Sequence, residues 1–268
     1  MQTRSQTGSN SAPLFVDVVF VGDRSGSMQS MGGGLLKGSI KFVEMHHQLA
    51  EESGLGDSYN LRVVSFDHQA DILYSGNATD FFADALHTQR LQEGLKPRGT
   101  TRLYDTICDE VKAQADRVCK FKASLHPSVL VLNPRIVVIL AVLTDGCDNT
   151  SKCGSLTVHI AIKSHIKEFD AACQFIAANQ DANYTGVKMG FPVETCLQMD
   201  ADPEHAAAAM ESVTMSCRRT ISGESPEFSQ AERTLSARVP SSWQPSFTSV
   251  PEDGGDNGDN MDSQPQRM

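Results

Sequence analysis

Long apolar runs are missing from this 268-residue chain. No segment approaches the roughly 18 continuous apolar residues of a membrane span, so a membrane partner is not expected. Basic excess is missing too: 23 Lys and Arg stand against 33 Asp and Glu, a formal charge of −10. Phosphate backbones call for a basic patch, and the acidic surplus spreads over 14–217 rather than sitting in a tail, so nucleic acid is excluded as a partner. Paired cysteine spacing is also absent. The seven cysteines are odd in number, widely spaced and free of any C-x-x-C, which argues against a disulfide framework or a zinc site and for reduced, mostly buried thiols. The apolar stretch near the N-terminus carries Asp17 and runs straight into Asp23-Arg24, unlike a secretory h-region. The expected location is the cytoplasm, where the sequons at Asn77, Asn149 and Asn183 are chance matches.

What is present is an alternation of strand and helix signals between two polar tails. Residues 1–13 read as a disordered tail. Residues 218–268 hold five of the 11 prolines and acidic Gly-Asp-Asn runs, and read as a second disordered tail with Trp243 alone in it. Between them, 14–217 reads as one domain. Phe15–Val21, Leu61–Phe66, Ala70–Tyr74, Ile136–Leu143, Cys173–Ala178 and Thr195–Met199 read as strands, the second and third close enough for a hairpin. Helices are predicted over 33–53, from Leu103 through Val118, around Ile162–Phe169, over 181–189 and over 203–217. On the first of these, Leu36, Ile40, Val43 and His47 mark the inner face, and His46 is expected to point outward. A partly apolar insert at about 120–134 precedes the strongest strand. The pattern predicts an α/β fold: a Rossmann-like, doubly wound, mostly parallel central sheet with one antiparallel edge strand and helices on both faces.

In such folds ligands sit outside the carboxyl ends of the strands, where strand order reverses. Three polar clusters fall at such ends. Asp23-Arg24-Ser25-Gly26-Ser27-Met28 follows the first strand, Gly99-Thr100-Thr101-Arg102-Leu103-Tyr104-Asp105 precedes the second predicted helix, and Thr144-Asp145-Gly146 ends the strongest strand. Asp23, Ser25, Ser27, a threonine and Asp145 are all oxygen donors, the set a small hard cation such as Mg2+ takes.

Here the chain resembles the von Willebrand factor type A domain, whose metal-ion-dependent adhesion site combines D-x-S-x-S with a later Thr and a later Asp. The resemblance covers 14–217, and Phe175-Ile176-Ala177-Ala178-Asn179-Gln180-Asp181-Ala182 is similar to intracellular bacterial and phage-type members. The family's T-x-L-Y-D register implies Thr101 as the threonine, with Thr100 as the fallback ligand. It implies Mg2+ as the cofactor, Mn2+ or Ca2+ being the alternatives, and a protein partner that offers an Asp or Glu carboxylate to the metal.

Asp23 and Asp145 together supply −2 against the cation's +2, which leaves such a site nearly neutral, and three neutral hydroxyls leave the cation electrophilic enough to hold a carboxylate from outside. The functional expectation is a Mg2+-dependent protein-binding module, not an enzyme. The alternatives are a metal-dependent phosphohydrolase and a scaffold with an idle metal site. Against hydrolysis, position 25 is Ser where the haloacid-dehalogenase nucleophile motif requires a second Asp. Lys37-Gly38-Ser39 has the wrong order for a P-loop. Ser25 and Ser27 have no assigned histidine partner, and His159 and His165 are wrongly spaced for a metal pair on a helix. Asp105 is read as able to orient the ligand loop, Asp148 and Asn149 as bordering the site or capping a helix. Arg24 points away from the metal or lines its rim.

Overall fold

A computed structural model describes residues 12–238; the expectations for the far tails, Trp243 included, lie outside the described residues. The elements run β1 (Phe15–Asp23), α1 (Gly34–Ser53), β2 (Tyr59–Phe66), β3 (Ala70–Asn77), α2 (Ala85–Gly94), α3 (Leu103–Ser124), α4 (Pro127–Val131), β4 (Ile136–Thr144), α5 (Ser155–Phe169), β5 (Ala172–Ala177), α6 (Ala182–Lys188), β6 (Cys196–Gln198), α7 (Pro203–Ser222) and α8 (Gln230–Ser236). One six-stranded sheet has the order β3-β2-β1-β4-β5-β6. Only the β2–β3 pair is antiparallel, so β3 is the antiparallel edge strand and the rest is parallel. This is the expected Rossmann-like, doubly wound, mostly parallel α/β architecture.

β1 reads as an apolar run because it lies inside the sheet and is buried on both faces. Val16, Val18 and Phe20 pack on the side of α1 and α7, and Phe15, Val19 and Val21 on the side of α3 and α5. Its one interruption, Asp17, is fully enclosed and held by Arg117 and Gln114 of α3. A buried carboxylate needs such partners.

Strand order reverses between β1 and β4, which pair in register up to Gly22 opposite Leu143. Asp23 and Asp145 therefore leave neighbouring strand ends at the same edge of the sheet. That shared edge brings the two carboxylates together.

Several expectations change. His46 does not point outward: it is fully buried, its Nδ1 2.8 Å from the Tyr59 hydroxyl and its ring edge-on to Phe42. The inner face of α1 runs through Gly34, Leu35, Gly38, Ser39, Phe42, Val43, His46 and Ala50, whose glycines, serine and histidine give no hydropathy signal. The glycines are needed for close approach to α7. A Cβ at Gly34 would fall 2.1 Å from the Pro203 carbonyl oxygen, and one at Gly38 2.4 Å from Met210 Cβ. Gly34 thus serves packing against α7.

Residues 120–134 are not an insert standing apart. α3 continues through Ser124, α4 follows, and Val131 and Leu132 are exposed. α2 was not legible because it buries only Leu91 and Gly94; its start is fixed by the Asp84 side chain accepting from the Leu86 amide at 2.8 Å. α7 runs past 217 to Ser222. Beyond it α8 starts with a reciprocal Ser229–Glu232 capping box and is tied back by Arg233 to the Cys196 and Glu194 carbonyls. The seven cysteines are free thiols, but three are buried rather than most of them. No helix among the described residues is long and apolar enough to cross a membrane.

His46 carries a pH prediction. Burial lowers its pKa from 6.5 to about 3, so between those values the unfolded chain binds a proton that the folded chain refuses. Stability contributed by neutral His46 is therefore complete above pH 6.5 and is lost as pH falls towards 3, with a slope of about 1.4 kcal/mol per pH unit. Urea unfolding at neutral and mildly acid pH should show a smaller acid loss in His46→Gln than in the wild-type chain. Parallel pH profiles for the two would contradict it.

Candidate metal centre

The polar residues after β1 cannot continue the strand, because each has found a partner that bends the chain. The Ser25 amide turns back onto Asp23 Oδ1 at 2.6 Å, and a short 3-10 turn over Gly26–Met31 follows. The other Asp23 oxygen accepts from Thr144 Oγ1 at 2.6 Å, which ties the ends of β1 and β4 together. From there a line of oxygens runs outward: Ser25 Oγ lies 3.0 Å from Ser27 Oγ, and Ser27 Oγ donates to Asp145 Oδ1 at 2.7 Å. Asp23, Ser25 and Asp145 are buried while Ser27 reaches the surface.

Thr101 comes to this line from the segment just before α3. It is buried, whereas Thr100 is exposed with its hydroxyl 3.5 Å from that of Thr150. A Cβ placed on Gly146 would lie 3.6 Å from Ser27 Oγ and 3.9 Å from Thr101 Oγ1, so Gly146 keeps open the space between the two hydroxyls. Asn149 holds the threonine in place: its side chain accepts from the Thr101 amide at 2.9 Å, and its own amide donates to the Thr101 carbonyl at 3.0 Å. Asp148 accepts from the Tyr104 amide at 3.2 Å, at the start of α3, where Arg102 makes no side-chain cap. Asp105 answers from the other side, accepting the Lys152 and Cys153 amides at 3.0 Å each. Burial alone would raise the Asp105 carboxyl, but those two amides and Arg102 outweigh it and lower its pKa to about 2. Asp105, Asp148 and Asn149 thus fasten the Thr101 loop to the Asp145 loop.

The electrostatics ask for a positive charge. Burial and, to a lesser degree, the charge of Asp145 raise the Asp23 pKa, hydrogen bonds from Thr144 and Ser25 lower it, and the balance stands at about 6. Burial also raises Asp145. Asp145 Oδ2 is buried and has no hydrogen-bond partner. Two enclosed carboxylates, one of them with an orphaned oxygen, and three hydroxyls fit a small oxygen-seeking divalent cation such as Mg2+.

Arg24 is not on the rim. It turns away from these oxygens and is buried against Asp67, Asp71 and the Gly94 carbonyl. The roles of Thr144 and Asp67 had no sequence signal: each is one polar residue at a strand end, and only the partner across the sheet gives it a task. A second group, Asp200, Asp202 and His205, also brings potential ligand atoms within 4.8 Å of one another. Asp202 there caps α7 and accepts from the Glu204 and His205 amides, while Asp200 accepts from the Arg238 amide.

No protein-family model matches the chain, and no curated protein matches it. Solved structures do. The pilus adhesin SpaC from Lactobacillus rhamnosus GG superposes with a TM-score of 0.52 at 14% identity, over 80% of this chain and 31% of that one. Proximal thread matrix protein 1 from the mussel byssus, in a structure described as having a zinc-occupied MIDAS motif, gives 0.48 at 14% identity over 79% and 47%. A structure described as von Willebrand factor type A from Catenulispora acidiphila gives 0.46 at 21% identity over 76% and 42%. The chain spans less than half the length of each of these three. At such identities the likeness is one of fold.

Proposed function

We propose that this chain is a Mg2+-dependent protein-binding module, in which Asp23, Ser25, Ser27, Thr101 and Asp145 hold the cation and a partner's Asp or Glu carboxylate completes its shell. The observation that carries this reading is the orphaned, buried Asp145 Oδ2, on the carboxylate that bonds Ser27, where the line of hydroxyls from Ser25 reaches the surface. Asp23 and Asp145 balance a divalent charge, so the bound cation stays free to exchange a water for an anionic oxygen from outside. Mn2+ and Ca2+ are the competing ions, and the smaller radius favoured by a tight hydroxyl set points to Mg2+.

Binding is favoured over phosphoester hydrolysis by where the nearby cationic side chains are engaged. Arg24 and Arg98 pair with Asp67 and Asp71, and Arg102 with Asp105 and Asp109. A phosphate clamp would need one of them turned towards the metal. A reducing, cytoplasmic setting agrees with seven free thiols, two of which, Cys108 and Cys153, lie 4.0 Å apart as thiols.

Calorimetric titration with Mg2+ tests the site. Wild-type protein should bind one ion, and Thr101→Ala should weaken binding by about tenfold or more, the scale of losing a well-placed ligand or its orienting contact. Thr100→Ala should bind as the wild type does, and the reverse order would move the ligand to Thr100. Capture of a partner from lysate should be lost in EDTA and restored by Mg2+. Hydrolysis of a generic phosphate ester that vanishes in Asp23→Ala would replace this reading with the enzymatic one.

A further inference from the structure

Asp67 lies just past the end of β2, is wholly buried, and belongs to none of the hydroxyl or carboxylate groups described above. Two ligand-bearing loops nevertheless meet on it. Its Oδ2 accepts from Arg24 Nε at 3.1 Å and from Arg98 Nε at 2.7 Å, and its carbonyl accepts from the Arg102 amide at 2.8 Å. Its Oδ1 accepts from the Gln69 amide at 3.0 Å and lies 3.0 Å from His68 Nδ1. Arg24 sits between Asp23 and Ser25; Arg98 and Arg102 flank the Gly99–Thr101 segment.

The two loops also bond directly where Asp67 holds them side by side. The Arg98 amide donates to the Arg24 carbonyl at 2.7 Å and the Gly26 amide to the Gly99 carbonyl at 3.2 Å. The fit is close enough to require glycine at 99: its φ is +71°, and a Cβ there would lie 2.8 Å from His68 Nδ1 and 3.2 Å from Asp67 Cβ. Burial would raise the Asp67 carboxyl, but the Gln69 amide and the two arginines outweigh it and hold it below the usual range, so it stays an anion between two cations.

We infer that Asp67 is a positioning residue for the metal centre: through Arg24 and Arg98 it sets the separation between the Ser25–Ser27 loop and Thr101, and so makes the site selective for a small cation. The inference rests on the metal-binding reading above. Mg2+ demands near-ideal octahedral geometry at short range, whereas Ca2+ accepts longer and more variable bonds. Loosening the brace should therefore hurt Mg2+ more than Ca2+, which a general loss of stability would not do.

The test compares the wild-type chain with Asp67→Asn and with Arg98→Ala, whose side chain is half-exposed. Glu110→Gln, which breaks the Arg62–Glu110 pair elsewhere on β2, serves as the control for stability alone. Calorimetry with Mg2+ and with Ca2+ should show Mg2+ affinity falling about tenfold in both brace variants, Ca2+ affinity changing much less, and the Mg2+/Ca2+ ratio unchanged in the control. In metal-free protein, the Gly26 and Arg98 amides should exchange hydrogen faster in both brace variants than in wild type and control. An unchanged ratio in the brace variants, with or without faster exchange, overturns the inference. If the wild type binds no Mg2+ at all, the metal-binding reading is what fails, and unchanged amide exchange then removes the brace as well.

Discussion

Asp145→Asn is expected to abolish the rise in melting temperature that Mg2+ confers and, in the absence of metal, to melt higher than the wild-type protein. The two effects have one cause. Asp145 is buried, its Oδ1 accepts one bond from Ser27, and its Oδ2 accepts none. The enclosed Asp23 carboxylate sits in the same pocket, with its pKa raised to about 6 by burial and the neighbouring Asp145 together. Without a cation the fold carries two poorly solvated like charges; with one it is compensated. A ligand at a hundred times its dissociation constant stabilises by about 2.7 kcal/mol, so the wild-type shift is easily read.

The asparagine keeps an acceptor for Ser27 and removes one charge. Relief of about 1 kcal/mol corresponds to a gain of about 2–4 °C for a domain of this size. Differential scanning fluorimetry with EDTA and with excess Mg2+ reads both. A retained Mg2+ shift in Asp145→Asn would remove this residue from the site. A lowered metal-free melting temperature would mean that the carboxylate is doing structural work that the present geometry does not show.

The second large effect concerns a buried ion pair outside the proposed metal centre. Arg117→Met should destabilise the fold by about 3–5 kcal/mol, the range for removing one partner of a buried ion pair. Out of a typical total of about 5–15 kcal/mol this is a large fraction. Asp17 lies inside β1, 1% exposed, and Arg117 holds both its oxygens at 2.8 Å. Gln114 Nε2, the remaining donor, is 3.0 Å from Asp17 Oδ1 and equally close to the Asp17 and Ile139 carbonyls, so it is already shared three ways. The uncompensated charge, more than the lost attraction, sets the cost. Asp17→Leu combined with Arg117→Met should therefore recover most of the stability, because it removes the charge along with its partner. Urea unfolding of the single and double variants measures this. Equal losses in both would show that the pair contributes through packing of the arginine stem instead.

These cases also divide what was legible from what was not. A parallel strand buried on both faces must be apolar along its length, so β1 and β4 stood out as runs, and the alternation with amphipathic helices implied the doubly wound sheet. Polar residues that stop such runs fall at strand ends, so Asp23, Ser25, Ser27 and Asp145 were visible as oxygen donors at one edge. α8, α2 and the inner face of α1 were not visible. Their burial depends on small or polar residues, Gly34, Gly38 and His46 among them, whose value comes from a neighbour's shape rather than from hydropathy.

Local chain chemistry, then, settled which segments are strands and where oxygen-bearing loops interrupt them, because burial and turn formation act within a few residues. The direction of each side chain was settled by partners distant in sequence. Arg24 turns inward because Asp67 and Asp71 wait across the sheet. Thr101 rather than Thr100 faces Ser27 because Asn149 grips its backbone from another loop. Asp67 acquires a role only because folding brings Arg24 and Arg98 to the same carboxylate oxygen.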